Sequence, residues 1–135
     1  MNIYSDERDF EEFKYNHIDT IDAISELLNV ELPDKAEELW KSIKQVECKN
    51  GLLTLFISKV KKFLATERAA GMLDPKLAKR SVKDREVFVE SNTADISSML
   101  TRLENMKKDI TERIQLGKTW LVWLRERSSN GIEEK

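Results

Sequence analysis

A chain of 135 residues with a formal net charge of −2, 36% charged and 40% hydrophobic residues, is one domain's worth of polypeptide, able to bury a core of its own. Four glycines and two prolines are too few turn residues for a sandwich or a barrel, so the expectation is an all-α protein, an elongated helical bundle or coiled coil. The single cysteine, Cys48, excludes an internal disulfide framework, no apolar run nears the roughly 20 residues of a membrane span, and the acidic opening "MNIYSDERDFEEF" is unlike a signal peptide, so a cytoplasmic protein without a membrane role is expected.

The first segment, residues 1–32, is acidic and predicts a helix over about 6–30. Phe10, Phe13, His17, Ile21, Ile24 and Leu28 recur at spacings of three and four and share one face. Pro33 is expected to stop it, and Asp34 with Glu37 to open the next helix as a capping box.

Residues 33–127 are expected to form two long helices. In the first, over about 34–70, Leu39, Ile43, Val46, Asn50, Leu53, Ile57, Val60 and Leu64 keep an unbroken heptad spacing. That seam runs through Asn50-Gly51, a strong turn signal on its own. The unbroken period favours one helix with a weak point at Gly51, and a helical hairpin at 49–51 is the alternative. "AAGMLDPK" ends the helix, with Gly71 as the expected C-terminal cap residue and Pro75 beyond it.

The last helix is expected over about 80–127, starting near Ser81. Ile96, Met99, Leu103, Met106, Ile110, Gly117, Trp120 and Leu124 keep heptad spacing, Arg113 is the one polar interruption, and Ile114 and Leu121 widen the stripe. Such a helix would be roughly 70 Å long, more than a compact chain of this size covers, so its seam is expected to assemble a homo-oligomer. The tail, 128–135, is expected to fray.

Charge is unevenly spread along these segments. Residues 1–50 carry 13 acids against 6 bases, residues 51–85 carry 3 against 9, and residues 86–135 carry 9 against 8. The basic middle is Lys59, Lys61, Lys62, Arg68, Lys76, Lys79, Arg80, Lys83 and Arg85, bracketing a junction at about 71–80. Lysine and arginine gathered in an otherwise acidic chain attract phosphates, which makes these nine the candidate nucleic-acid contacts. A solvated, solubilising linker is the plainer reading of the same run. Phe63 beside Lys61 and Lys62 could stack on a base, although Phe56, Val60 and Phe63 also fit a core face. Trp123 lies off the main seam and is a candidate partner contact.

Nothing points to an enzyme, a metal site or a cofactor. One histidine and one cysteine cannot make a usual zinc set, and no phosphate loop or dinucleotide fingerprint is present. Adjacent carboxylates such as Glu11-Glu12 and Glu37-Glu38 point about 100° apart on a helix. His17, on the apolar face, is expected to be packed and hydrogen-bonded.

From "ISKVKKFLATERAAG", through a charged link and "VKDREVF", to the closing "ERIQLGKTWLVWLR", about residues 52–127 resemble the UvsY-type recombination mediators of tailed phages. The resemblance implies a ring-like homo-oligomer on single-stranded DNA that helps displace a single-strand-binding protein and load a recombinase. By position it implies that Lys59, Lys61 and Lys62 touch the DNA backbone. It implies too that the seam of residues 96–124, through Ile96, Met99, Leu103, Met106, Ile110, Ile114, Trp120, Leu121 and Leu124, holds the oligomer. The alternative, from another class, is a protein-binding adaptor or inhibitor that works through its acidic first helix.

Overall fold

The computed structural model describes residues 7–129. The chain is all-helical, with no strand among the described residues: α1 (Phe10–Leu28), α2 (Ala36–Glu47), α3 (Asn50–Met72), a 3-10 turn (Pro75–Leu77), α4 (Val82–Asn92) and a long C-terminal α5 (Ala94–Ser129). The expected fraying over 128–135 falls mainly on residues outside the described ones; α5 itself continues to Ser129.

The chain divides into two compact units. One comprises residues up to Ile18 together with Leu55–Glu104, and the other comprises Asp19–Thr54 with the residues from Asn105 onward. Three helices, α1, α3 and α5, supply residues to both.

The first unit is built on an aromatic cluster. Phe13 and Phe56 are fully buried, edge to face at 5.5 Å, a geometry that aromatic quadrupoles favour. The His17 ring lies 4.7 Å from Phe56 and 5.0 Å from Phe13. Phe10, Val60, Leu64, Leu77, Val89, Ile96, Met99 and Leu103 complete the buried apolar set among the described residues. In the second unit Leu39 and Ile43 of α2 meet Leu121 and Leu124 of α5, with Leu32, Ala36 and Ile114 packed against them.

Several boundaries differ from expectation for local reasons. α1 ends at Leu28, five residues before Pro33, and the Arg113 guanidinium donates through Nη1 to the Leu28 carbonyl at 3.3 Å. A cation there satisfies an orphan carbonyl and complements the negative end of the helix dipole. The polar interruption of the α5 pattern is thus a cap for another helix. The expected capping box does not form, because α2 starts at Ala36 behind Lys35, without a side-chain cap.

The single helix over 34–70 is interrupted at Cys48 and Lys49. The Lys49 amide reaches back only three residues, to Val46 at 3.0 Å, while Leu53 then bonds Lys49 at 3.1 Å. Gly51 sits inside α3, just past the break. Gly71 does not cap α3, which continues to Met72; a Cβ there would come 2.7 Å from Val89 Cγ2, so glycine permits the close approach of α4. The long final helix is also divided. Ser81 caps α4 by accepting from the Asp84 amide at 3.1 Å, as expected near that residue. Thr93 then ends α4: its amide and its hydroxyl both turn back to the Val89 carbonyl, at 3.0 and 2.8 Å, before α5 begins.

The seam of α5 needs no second chain. Ile96, Met99, Leu103, Met106, Ile110, Leu121 and Leu124 are all buried by this chain's own helices, Ile114 is half-buried, and Trp120 is exposed. Within the single chain that apolar face is largely covered, and Trp120 is the member of the expected seam left exposed.

Candidate nucleic-acid interface

All nine candidate basic residues fall within the first unit, on α3, on the segment 73–81 and on the first turns of α4. That segment is not a loose linker. Asp74 Oδ1 accepts from the Lys76 amide at 2.9 Å, and Leu77 and Ala78 bond back to Asp74 and Pro75 at 3.0 and 3.2 Å. The Leu77 side chain is buried, which anchors the 3-10 turn to the unit. A fixed backbone therefore carries Lys76, Lys79 and Arg80 at the surface, and Lys83 follows in the first turn of α4. Ser81 between them spends its side chain on the helix cap.

The nine divide into two groups. Lys61, Lys62, Lys76, Lys79, Arg80 and Lys83 are exposed, and among the described residues none of them forms an ion pair. The other three are engaged or withdrawn. Arg68 pairs with Glu90 of α4 at 3.3 Å, and Arg85 is half-buried with its Nε lacking a hydrogen-bond partner among the described residues. Lys59 has the most structural role of all. Its Nζ lies 2.9 Å from Oε2 of Glu7, whose other oxygen, Oε1, lies 2.6 Å from His17 Nε2. The Glu7 side chain is 1% exposed and that of Lys59 13%. Burial alone would raise the Glu7 carboxyl, but hydrogen bonds from Lys59 and His17 outweigh it and hold its pKa below the ordinary carboxylate value.

Helix geometry explains why sequence spacing misplaced Lys59. It stands two residues, or about 200°, from Lys61 on α3, so the two flank opposite sides of the buried Phe56–Val60–Leu64 face. One flank meets the acid that precedes α1, and the other is open to water. Phe63 is half-buried, 6.1 Å from Phe13, and belongs to the aromatic core. His17 is packed and hydrogen-bonded, as its position on the apolar face implied.

Apolar surface near the basic segment was not singled out from the sequence. Leu73 is 81% exposed, and Val82, Val87 and Phe88 are exposed as well. Phe88 borders an opening of about 230 Å3 that Glu67, Gly71, Asp74 and Asn92 also line. Single-strand binders combine aromatic rings with cations to hold bases and backbone together; here Phe88 shares α4 with Lys83, while its own opening is lined by Glu67 and Asp74. The signal was weak because α4 has no clear apolar period; of its valines and phenylalanine only Val89 is buried.

Among the described residues no group of His, Cys, Asp and Glu is placed to hold a metal ion, and no helix is long and apolar enough to cross a membrane. Comparison of the chain with protein-family models, curated proteins and solved structures returns no match.

Proposed function

We propose that this protein is a non-enzymatic accessory protein that binds single-stranded DNA through the exposed cations between Lys61 and Lys83, and that it works as an oligomer. The observation that carries the reading is the set of six exposed basic side chains, without an ion pair among the described residues, presented by α3, an anchored 3-10 turn and the start of α4. Cations already held by protein carboxylates gain little from a phosphate. Unpaired ones release counterions from the nucleic acid when they bind. Phe88 and the exposed aliphatic side chains around it favour single strands, whose unstacked bases offer faces to apolar groups.

The resemblance of residues 52–127 to phage recombination mediators supplies the context: displacement of a single-strand-binding protein and loading of a recombinase. The contact set inherited from that resemblance is narrowed here to Lys61 and Lys62, since Lys59 holds Glu7.

Fluorescence anisotropy with a labelled single-stranded oligonucleotide at low salt tests the reading. Lys79→Glu/Arg80→Glu/Lys83→Glu is expected to weaken binding by at least about a hundredfold, as loss and reversal of three phosphate contacts implies. Phe88→Ala should weaken it further and selectively for single strands, by roughly 1–3 kcal/mol if one base stacks there. Wild-type protein that ignores the oligonucleotide would sink the proposal and move the function to the acidic residues of α1, where Glu11, Asp19 and Glu26 are exposed.

A further inference from the structure

The outer side of α5 carries a second heptad stripe, separate from the buried one. Asp109, Arg113, Leu116, Trp120, Trp123 and Arg127 follow one another at steps of four, three, four, three and four, which keeps them on one face. All belong to the second unit. At its centre Leu116 is 62% exposed, Trp120 39% and Trp123 45%, and the two indoles stack at 4.9 Å. A line of one leucine and two tryptophans open to water, on the flank of a helix whose neighbouring face is already buried, is an unpartnered docking surface.

Charge along the stripe selects the occupant. The acid Asp109 stands at one end and the base Arg127 at the other, so the stripe is complementary to itself only when reversed. We propose that a second copy of this chain packs its own α5 antiparallel against this stripe, with a two-fold axis near residue 118. In that register Leu116 faces Trp120 of the partner, Arg113 faces Trp123, and Asp109 faces Arg127, each pair occurring twice as an isologous interface requires. A parallel pairing would set Asp109, Arg113 and Arg127 each against its own copy, so like charges would oppose one another throughout.

Arg113 lies within the same stripe. Its Nη1 is used on the Leu28 carbonyl, but Nε and Nη2 are buried and lack hydrogen-bond partners among the described residues. It borders a groove of about 430 Å3 next to Leu28, Val30, Leu32 and Leu116. Nucleic acid is a poor occupant, because Glu31, Asp109 and Glu112 line the same groove and repel phosphate. An anionic lipid surface is disfavoured for the same reason. The inference rests on the oligomeric part of the proposed function and not on nucleic-acid contact.

Sedimentation equilibrium of the full chain without nucleic acid tests it. The wild type is expected to be a reversible dimer. Leu116→Asp should weaken dimerisation tenfold or more while leaving the thermal melt unchanged at concentrations where both proteins are monomeric, because in the single chain the side chain is mostly in water. Asp109→Arg and Arg127→Asp should each weaken it, and the double exchange should recover most of the loss, since the pair is restored with its signs swapped. A wild-type chain that stays monomeric at every concentration overturns the inference. So does a dimer indifferent to Leu116→Asp, or a double exchange no better than its parents. Oligonucleotide binding by the Leu116→Asp protein, measured separately per chain, distinguishes failure of this interface from failure of the DNA reading.

Discussion

Glu7 is the residue on which the local electrostatics turn. Its carboxylate lies in the first unit between the Lys59 ammonium and the His17 ring, with almost no access to water. Removing one member of a buried ion pair leaves the other charge unmatched, which typically costs about 3–5 kcal/mol. Lys59→Met is therefore expected to lower stability by about 3 kcal/mol in urea denaturation, whereas Lys62→Met, at an exposed site, should change it by less than about 0.5 kcal/mol. The pH dependence has a definite sign. Because the folded Glu7 carboxyl sits below its ordinary value of 4.5, its contribution to stability is present above that value and is lost as pH falls below it, through the depressed folded pKa. Urea midpoints measured from neutral pH downward should drop on the acid side of 4.5 in the wild type and drop less in Lys59→Met. His17 was legible in the sequence as a packed histidine because Phe13 and Ile21, four residues to either side, are apolar. The partners were not, since Glu7 and Lys59 are 52 residues apart and no spacing rule joins them.

At the scale of elements, the instructive case is the buried face of α5. Ile96, Met99, Leu103, Met106 and Ile110 keep the heptad that the sequence displays, and all are buried. Beyond Ile110 the inward positions are half-buried Ile114 and buried Gly117, Leu121 and Leu124, so two steps of four follow each other. Ile110, Gly117 and Leu124 still stand seven apart; a straight helix drifts by about 20° per heptad, and the second apolar position of each heptad moves from three residues on to four to stay against its neighbours. The strict heptad therefore put Arg113 and Trp120 in the core, where the structure puts Ile114 and Leu121. Both residues of the better line were visible in the sequence as a widening of the stripe, but periodicity alone could not choose between the two lines. Glycines show the same dependence on packing. A Cβ on Gly117 would lie 2.8 Å from Ile43 Cγ1, while one on Gly51 would meet nothing within 4 Å. Gly51→Ala should stabilise by up to about 1 kcal/mol through helix propensity. Gly117→Ala should destabilise, since an overpacking cost of about 1–3 kcal/mol exceeds that gain. Paired urea titrations of the two variants check the contrast, and equal shifts would count against the close approach of α2 and α5.

At the scale of the whole molecule, the all-helical class follows from scarce glycine and proline and from sustained apolar periods. The helix count does not, because the interruptions at Cys48–Lys49 and at Thr93 are made by single hydrogen bonds that leave the period intact. The site was legible as a charge imbalance, +6 over residues 51–85 in a chain of net charge −2. Which charges are available was not, because availability depends on partners contributed by other helices: Glu7 takes Lys59 and Glu90 takes Arg68. On the proposed reading, a net negative chain whose exposed bases at 61–83 form no ion pair among the described residues should bind a polyanion locally, through a small, countable number of phosphates. Counterion release converts that number into a slope, about −0.7 per phosphate contact for a single strand. The most direct measurement is thus the affinity for a labelled single-stranded oligonucleotide across a salt series, plotted as logarithms. Three to six contacts from Lys61, Lys62, Lys76, Lys79, Arg80 and Lys83 predict a slope of about −2 to −4, reduced to near −1 when Lys79, Arg80 and Lys83 are reversed. A slope near zero, or one that the reversal leaves unchanged, would contradict a phosphate-binding role for these residues.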